Sequence, residues 1–566
     1  MVDLKTAPFN LDESSIRWVT ATLNKMSLKE KIGHLFFPVG LSSDHAELEE
    51  VITRFKPAGM MFRPGPSEEV QETHRFLQMT SDLPLLIASN LESGGNGSSI
   101  NGTEFASQMQ VAATDELYQA ENLAQVCATE GSALGCNWSF APVIDLDLNP
   151  ENPITNVRTF GSDVKRVKSM AAAYIKKLQG NGVASAAKHF PGDGVDSRDQ
   201  HIAMTYNTLS CEEWDASYGE VYRAVIESGV LSIMAGHISL PAYSRHFNPD
   251  IAIDQLMPAS LAPELLQGLL RDKLGFNGLI VTDATAMVGF TTAMPREKAV
   301  PSAIAAGCDI FLFNKDLEED FQFMLNGIET GLLSLERVDE AVTRTLAMKA
   351  ALGLHHQSKE ERVPASQQLE VVGCEQHKRM AEECANKAIT LVKDRTQFLP
   401  VDINTHKRIL VFTLSDDGDF FGHKNSVFDT AVDLLRAEGF EVTLFDPKDF
   451  MSRDTKLSIS SVTKNYDFAL YLANQKPASN KTSLRLNWAR PMGANAPWFS
   501  TELPTVFVSF GNPYHLLDVP KVPTYINAYT ATEATIKAVT DCLLGRAEFC
   551  GISPVDAFMG RWDTRL

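Results

Sequence analysis

The chain has no run of about twenty apolar residues, and its start, MVDLKTAPFNLDESSIRW, has no basic segment leading into an apolar one. The expectation is therefore no membrane span and no export, with a cytoplasmic location as the default. Positive charge is in short supply: 51 Lys and Arg stand against 71 Asp and Glu, a formal net charge of -20. A nucleic-acid phosphate backbone would meet a field of its own sign, which excludes that class of partner and leaves a small-molecule ligand. The eight cysteines (Cys127, Cys136, Cys211, Cys308, Cys374, Cys384, Cys542, Cys550) include no C-x-x-C pair. A zinc site and a disulfide framework are thus not expected, and most of the thiols should be small buried apolar groups. There is no P-loop and no nucleophile-elbow serine, and the G-x-G patterns lack the strand and helix context of a dinucleotide site. Nothing calls for a cofactor, and no internal repeat or low-complexity tract stands out.

What is present is α/β organisation at a length, 566 residues, that exceeds one ordinary core. Before residue 320, short apolar runs alternate with amphipathic stretches: IGHLFF (32–37), GMMFR (59–63), LLIASN (85–90), WSFAPV (138–143), ASAAKHF (184–190), LSIMAGH (231–237), LIVTDA (279–284) and DIFLF (309–313). Helical segments such as APELLQGLLRDKLG and EDFQFMLNGIETG fall between or after them. The pattern predicts a (β/α)8 TIM-type barrel over 1–354, closed by the helical ERVDEAVTRTLAMKAALGL. Residues 355–378 are polar with a proline and read as a linker. A second α/β segment, 379–566, offers the strands RILVFTL (408–414), EVTLF (441–445), FALYLAN (468–474), TVFVSFG (505–511) and TYINAY (524–529), with FDTAVDLLRAEG and ATEATIKAVTDCLLG as helices. It is expected to be a three-layer α/β/α sandwich with a largely parallel sheet.

Polar residues end the apolar runs of the first domain: Arg63, Asn90, Asp145, Lys188 with His189, His237, Asp283 and Asn314. In a (β/α)8 barrel the C-terminal ends of the strands bind ligand, so these residues predict a pocket of carboxylate, imidazole and cationic groups. Asp283, in GLIVTDATAM, is a carboxylate able to attack an anomeric carbon. Its alternative is a helix cap. The loop KHFPGDGVDSRDQH (188–201) ends in Asp199-Gln200-His201. His201 could protonate a leaving oxygen and later deprotonate the incoming nucleophile, with Asp199 orienting the ring and stabilising its charged form. Gly192 and Gly194 would let the loop move; a solvated loop is the alternative. Asp193, Asp196 and Asp199 could supply oxygens to a metal, but their spacing of three does not match a calcium loop. Lys188, His189 and Arg158, the last in NVRTFGSD, are donors suited to sugar hydroxyls, although Lys188 could equally pair with a rim carboxylate and Arg158 with Asp163. In the second domain, LRLNWARPMGANAPWF (484–499) carries Arg485, Trp488, Arg490 and Trp498, either as a border to the cleft or as a surface loop.

These segments resemble glycoside hydrolase family 3, in its β-N-acetylglucosaminidase branch with an Asp-His dyad and in its two-domain form. KHFPGDGVDSRDQH is similar to the family's KHFPGHG…D-x-H loop, and FAPVIDLD, NVRTFG, MAGH, GFNGLIVTDATAM, AAGCDIFLF and ERVDEAVTRTLAMKAALGL follow in the family's order. KAITLVKDRTQFLP and FVSFGNPYHLLDVP resemble its second domain. The resemblance implies Asp283 as nucleophile, His201 as acid/base with Asp199 as its partner, and Arg158, Lys188 and His189 as contacts to the N-acetylglucosamine ring. Where most members carry Asp-Gln-Glu-Gly-Gly followed by arginine, this chain has SNLESGGNGSS, so that Asn90 stands in for the sugar-binding aspartate. The exchange removes a charge-assisted bond of about 1 kcal/mol. KHFPGDG in place of KHFPGHG is the second departure.

The expected activity is a retaining exo-β-N-acetylglucosaminidase acting on small glycosides by double displacement, with Asn90, Arg158, Lys188, His189 and His237 binding substrate and no metal. Two alternatives stand beside it. A phosphorylase on the same scaffold would use a His that is neutral after giving up its proton and so tolerates phosphate. A sugar-binding protein without turnover would keep the barrel alone.

Overall fold

In the computed structural model, which describes residues 2–415, 427–446, 458–481, 485–489 and 493–566, the chain divides into two compact units. The first comprises Met1–Phe105, Ala120–Thr155 and Val164–Lys378; the second comprises Ala106–Gln119, Asn156–Asp163 and Arg379–Leu566.

The first unit is a parallel barrel. Its strands are β1 (Phe36–Phe37, continuing as Val39–Gly40), β2 (Gly59–Phe62), β3 (Leu86–Ser89), β4 (Trp138–Ser139), β5 (Ala184–Phe190), β6 (Ser232–Ala235), β7 (Leu279–Thr282) and β8 (Phe311–Leu312). Each pairs in parallel with the next from β1 to β7. The ring closes through Val281 opposite Ile310 and Phe36 opposite Phe311. Strands covered on both faces need apolar side chains throughout, and β2, β3, β5, β6 and β7 are buried along their whole length. Small residues on β5, Ala184 to Ala187, make room for Trp138, whose indole N–H donates to Ser232 Oγ at 2.8 Å and whose ring meets Phe37 edge-on at 5.2 Å. The barrel is therefore a packed core with its polar groups at the strand ends.

One buried carboxylate ties the last two strands to the outer helices. Asp309 accepts from the backbone N–H of Ile280 at 2.9 Å and forms ion pairs with Arg271, Arg337 and Arg344 at 2.8, 2.6 and 3.3 Å. Burial raises the pKa of this carboxyl, but the three guanidinium groups outweigh it and hold the group below its usual range.

The expected eight strands are all present, several of them shorter than the apolar runs, as in WSFAPV, where only Trp138–Ser139 is strand. IGHLFF begins inside a helix, Leu28–Gly33, because Ser27 and Glu30 form a capping box there and Ile32 is the helix's buried face; the strand starts only at Phe36. Residues 355–378, expected as a linker, belong to the first unit. Arg75 reads the carbonyls of Val363 and Pro364 at 3.2 and 2.7 Å, Val363 is buried, and His377 pairs with the buried Glu130 at 2.6 Å.

The second unit is built on a six-stranded sheet: β9 (Thr390–Asp394), β10 (Arg408–Ser415), β11 (Glu441–Leu444), β12 (Phe468–Asn474), β13 (Thr505–Ser509) and β14 (Thr524–Asn527). The spatial order is β9-β14-β13-β12-β10-β11, parallel except for β9. Helices Val427–Ala437 and Glu533–Leu543 pack on the face that carries Ile409, Val411, Leu470 and Val508. The other face carries a ladder of stacked rings, Phe412 on Tyr471 at 4.3 Å, then Phe507 and Tyr525 at 5.6 Å steps, covered by Val462, Leu486 and Phe499. Strand β9 was not expected, and neither were the two insertions from the barrel half of the sequence. Gln110 reaches Ala528 O at 2.8 Å and Thr535 Oγ1 at 2.9 Å, contacts between residues more than four hundred positions apart. Cys127, Cys136, Cys308, Cys384 and Cys542 are buried free thiols. Among the described residues no helix is long and apolar enough to cross a membrane.

Replacing Asp309 with alanine strands three buried guanidinium groups, and the loss of one partner from such a cluster costs about 3–5 kcal/mol. Chemical denaturation of Asp309→Ala followed by circular dichroism should show a loss of that order; a change below about 1 kcal/mol would mean the arginines find other partners.

Candidate active site

The site forms where β3, β5, β6 and β7 end. β5 delivers Lys188 and His189, both buried. Lys188 Nζ pairs with Glu92 Oε1 at 2.6 Å, so the pairing with a rim carboxylate left open by the sequence is the one present. Glu92 comes from the loop after β3, two residues beyond Asn90, which is exposed. The loop is seated on Glu130, a fully buried carboxylate that accepts from Thr103 N–H at 2.8 Å and from the Thr103 hydroxyl at 2.6 Å. A Cβ on Gly95 would fall 1.9 Å from that carboxylate, so only glycine allows the approach.

His189 is oriented by Asp145, which ends the fourth apolar run. The buried Asp145 carboxylate accepts the His189 backbone N–H at 3.1 Å, its ring Nδ1–H at 2.7 Å, and the Asp193 N–H at 2.8 Å. With Nδ1 protonated, Nε2 is the nitrogen left for a ligand. Asp193 follows in the loop, also buried, accepting from Asn152 Nδ2 at 2.7 Å, Gly194 N–H at 2.8 Å and Gln200 Nε2 at 3.3 Å. Burial, and next the charge of Asp145, push the Asp193 carboxyl up to about 6.

The loop then reaches Asp199-Gln200-His201. Asp199 Oδ1 accepts both the backbone N–H and the ring Nδ1–H of His201, at 2.8 and 2.7 Å. Asp199 is 2% exposed and the His201 side chain 26%, a buried carboxylate behind a partly exposed imidazole. The glycines of this loop allow close approaches. Gly192 and Gly194 take φ of 127° and 102°, and an added Cβ would lie 2.2 Å from the Tyr218 ring or 1.9 Å from Leu146 O. They permit close packing of a seated loop. The three loop aspartates each have their own partners, Asp196 being held by Arg198 at 2.7 Å and by Tyr206 N–H at 2.9 Å.

Asp283 stands one residue beyond β7, partly buried, with its N–H donated to Ala235 O at 2.8 Å and its Oδ1 accepting from Ala284 N–H at 2.7 Å. Burial pushes its carboxyl up, but His189, His237 and His201, together with the Ala284 N–H, outweigh this and bring the pKa below the usual range. The carboxylate is thus ionised at neutral pH beside three imidazoles. His237 is fully buried and both its ring nitrogens are engaged. Nε2–H donates to Ala284 O at 3.0 Å and Nδ1 accepts from Ser260 Oγ at 2.9 Å, which fixes the tautomer. Burial lowers the pKa of this ring more than the Asp283 charge raises it. Its ring holds the backbone next to Asp283.

The first unit brings Asp283, His201, Asp199, His189 and His237 together with Lys188, and Asn90 lies at the end of β3. Arg158 falls in the second unit, at the end of the short helix Asn156–Arg158. Of the residues considered in 484–499, Arg485 binds Asp518 through Nε at 2.5 Å, Trp488 packs partly buried against the ring ladder, and Trp498 is 43% exposed. Arg490 lies outside the described residues. Glu92 and Gln200 carry no expected role from the sequence, although both sit within two residues of candidate site positions.

Residues 27–348 match the family model described as the glycosyl hydrolase family 3 N terminal domain. Over the full length of both proteins the chain is 46% identical to a β-N-acetylglucosaminidase/β-glucosidase of Cellulomonas fimi. A solved β-glucoside phosphorylase, BglX, is 44% identical with a TM-score of 0.94, covering 98% of this chain and 99% of its own. A β-hexosaminidase A of Pseudoalteromonas piscicida is 30% identical over 62% of this chain and 61% of its own length. The match to the family model, the full-length relative and a barrel rim that gathers an ionised aspartate and an Asp-His pair together establish that this chain is a member of glycoside hydrolase family 3.

Proposed function

We propose that the chain removes terminal β-linked N-acetylglucosaminyl residues, and β-glucosyl residues as well, by a double displacement with net retention. The observation that carries this is Asp283, held ionised at the end of β7 in the electrostatic field of His201, whose ring is oriented by a buried carboxylate. The Asp283 oxygen attacks C1 as the glycosidic bond breaks, and protonated His201 gives its Nε2 proton to the departing oxygen. The imidazole is then neutral and can take the proton of the second nucleophile as the Asp283 ester bond breaks, returning both groups to their starting states. Asp199 stabilises the imidazolium in the first step. Lys188 and the Nε2 of His189 bind sugar hydroxyls, with Glu92 and Asp145 setting their positions. The two sugars follow the paired activities in the name of the 46% identical relative.

A second reading concerns the acceptor. The 44% identical structure is named a phosphorylase, and a neutral imidazole at the acid/base position does not repel an incoming phosphate as a carboxylate would. In that case the second displacement forms a sugar 1-phosphate.

Two experiments test these steps. For His201→Ala the loss should be large on alkyl glycosides, about a hundredfold or more, and small on a dinitrophenyl glycoside that needs no acid; equal losses on both would remove His201 from the acid role. Product analysis with 4-nitrophenyl β-N-acetylglucosaminide in phosphate buffer decides the acceptor. Free N-acetylglucosamine as the sole sugar product means hydrolysis, N-acetylglucosamine 1-phosphate as the main product means phosphorolysis, and absence of both excludes the sugar assignment.

A further inference from the structure

We propose that Gln200 is a positioning residue for the reaction: its side-chain amide bridges the end of β6 to the start of the loop and thereby fixes His201 and Asp199 in one frame with Asp283. The inference rests on the reading of His201 as the acid/base group.

Gln200 sits between the two members of the Asp-His pair and is itself fully buried. Its Oε1 accepts the backbone N–H of His237 at 2.8 Å and its Nε2 donates to Asp193 Oδ2 at 3.3 Å. Both partners fix the amide orientation, since a backbone N–H only donates and an ionised carboxylate only accepts. The backbone on either side is held as well. Gly289 N–H donates to Gln200 O at 3.1 Å and Val288 N–H to His201 O at 2.9 Å, from the short helix Val288–Thr291 that follows Asp283. A Cβ on Gly289 would fall 2.6 Å from Gln200 O, so the approach needs glycine.

The chain of contacts is continuous from one reacting group to the other. Asp193 holds Gln200, Gln200 holds the His237 backbone, and the His237 ring holds Ala284 O beside Asp283. An imidazole must lie within a few tenths of an ångström of the proton path to act as an acid, and a residue that seats its loop on the nucleophile's own strand end supplies that precision. Gln200 is fully buried with its amide taken up by His237 and Asp193, and so acts through other residues.

The test uses the full chain and a pair of glycosides of one sugar, one with a dinitrophenyl and one with an alkyl leaving group. Gln200→Leu leaves the His237 N–H and Asp193 Oδ2 without partners and should lower kcat on the alkyl glycoside about tenfold more than on the activated one, with KM little changed. A structural role alone would lower both equally. Because that variant can fail to fold, a near-isosteric exchange keeps the question open to answer. Gln200→Glu sets two carboxylates face to face, whereas Gln200→Glu combined with Asp193→Asn restores a donor opposite an acceptor, while the amide oxygen introduced by the second exchange still serves Asn152 and Gly194. The double variant should recover most of the alkyl-glycoside activity lost by Gln200→Glu. Equal losses on both glycosides, or a double variant no better than Gln200→Glu, would overturn the proposal. His201→Ala is measured alongside: if it shows the leaving-group dependence and Gln200→Leu does not, the bridge is wrong and the acid assignment stands; if neither shows it, the acid assignment itself is wrong.

Discussion

Asp145 is wholly buried, and its two oxygens collect three N–H groups: the backbone and ring Nδ1 of His189 and the backbone of Asp193. A carboxylate out of water needs such partners, and meeting that need shapes everything after β5. It ends the strand, turns His189 so that Nε2 is the free nitrogen, and starts the loop with Asp193 pointing inward. Asp193 in turn holds Gln200 and Asn152. The geometry of the Asp199-His201 pair thus traces back to a wholly buried carboxylate.

The same logic governs charge at the far side of the site. Asp283 is ionised because imidazoles and one N–H outweigh its burial, and the His237 ring is held between the Ala284 carbonyl and the Ser260 hydroxyl. A carboxylate held ionised suits a nucleophile, while an imidazole backed by the buried Asp199 suits a group that must alternate between charged and neutral forms. Lys188 and His189 are each tied to their own carboxylate, Glu92 and Asp145.

Much of the architecture was legible in the sequence because buried parallel strands require continuous apolar runs, and those runs in 59–62, 86–89, 184–190, 232–235 and 279–282 stand out between polar helices. Where local signal and tertiary cause part, the reading failed. Ile32 is apolar because it is the inner face of a capped helix turn, which IGHLFF alone does not reveal. TLVKD carries two charges and directly follows a helix, so β9 has no strand signature of its own. The insertions 106–119 and 156–163 owe their place in the second unit to contacts made hundreds of residues away, such as Gln110 with Ala528. At the site, Asp199 and His201 stand out by their spacing and Asp283 by its place at the end of an apolar run. The partner of Lys188 and the fixed tautomer of His237 do not, because Glu92 and Ser260 are close only after the barrel closes. The close approach of the loop glycines to Leu146 and Tyr218 has no local signal either.

The most direct measurement is covalent trapping. Incubation with a 2-deoxy-2-fluoro-β-glucosyl fluoride slows both displacements, the second more, so that a glycosyl ester accumulates on the nucleophile. Peptide mapping by mass spectrometry should then find the added sugar on Asp283. A label on any other carboxylate, or inactivation without an ester on Asp283, would contradict the account.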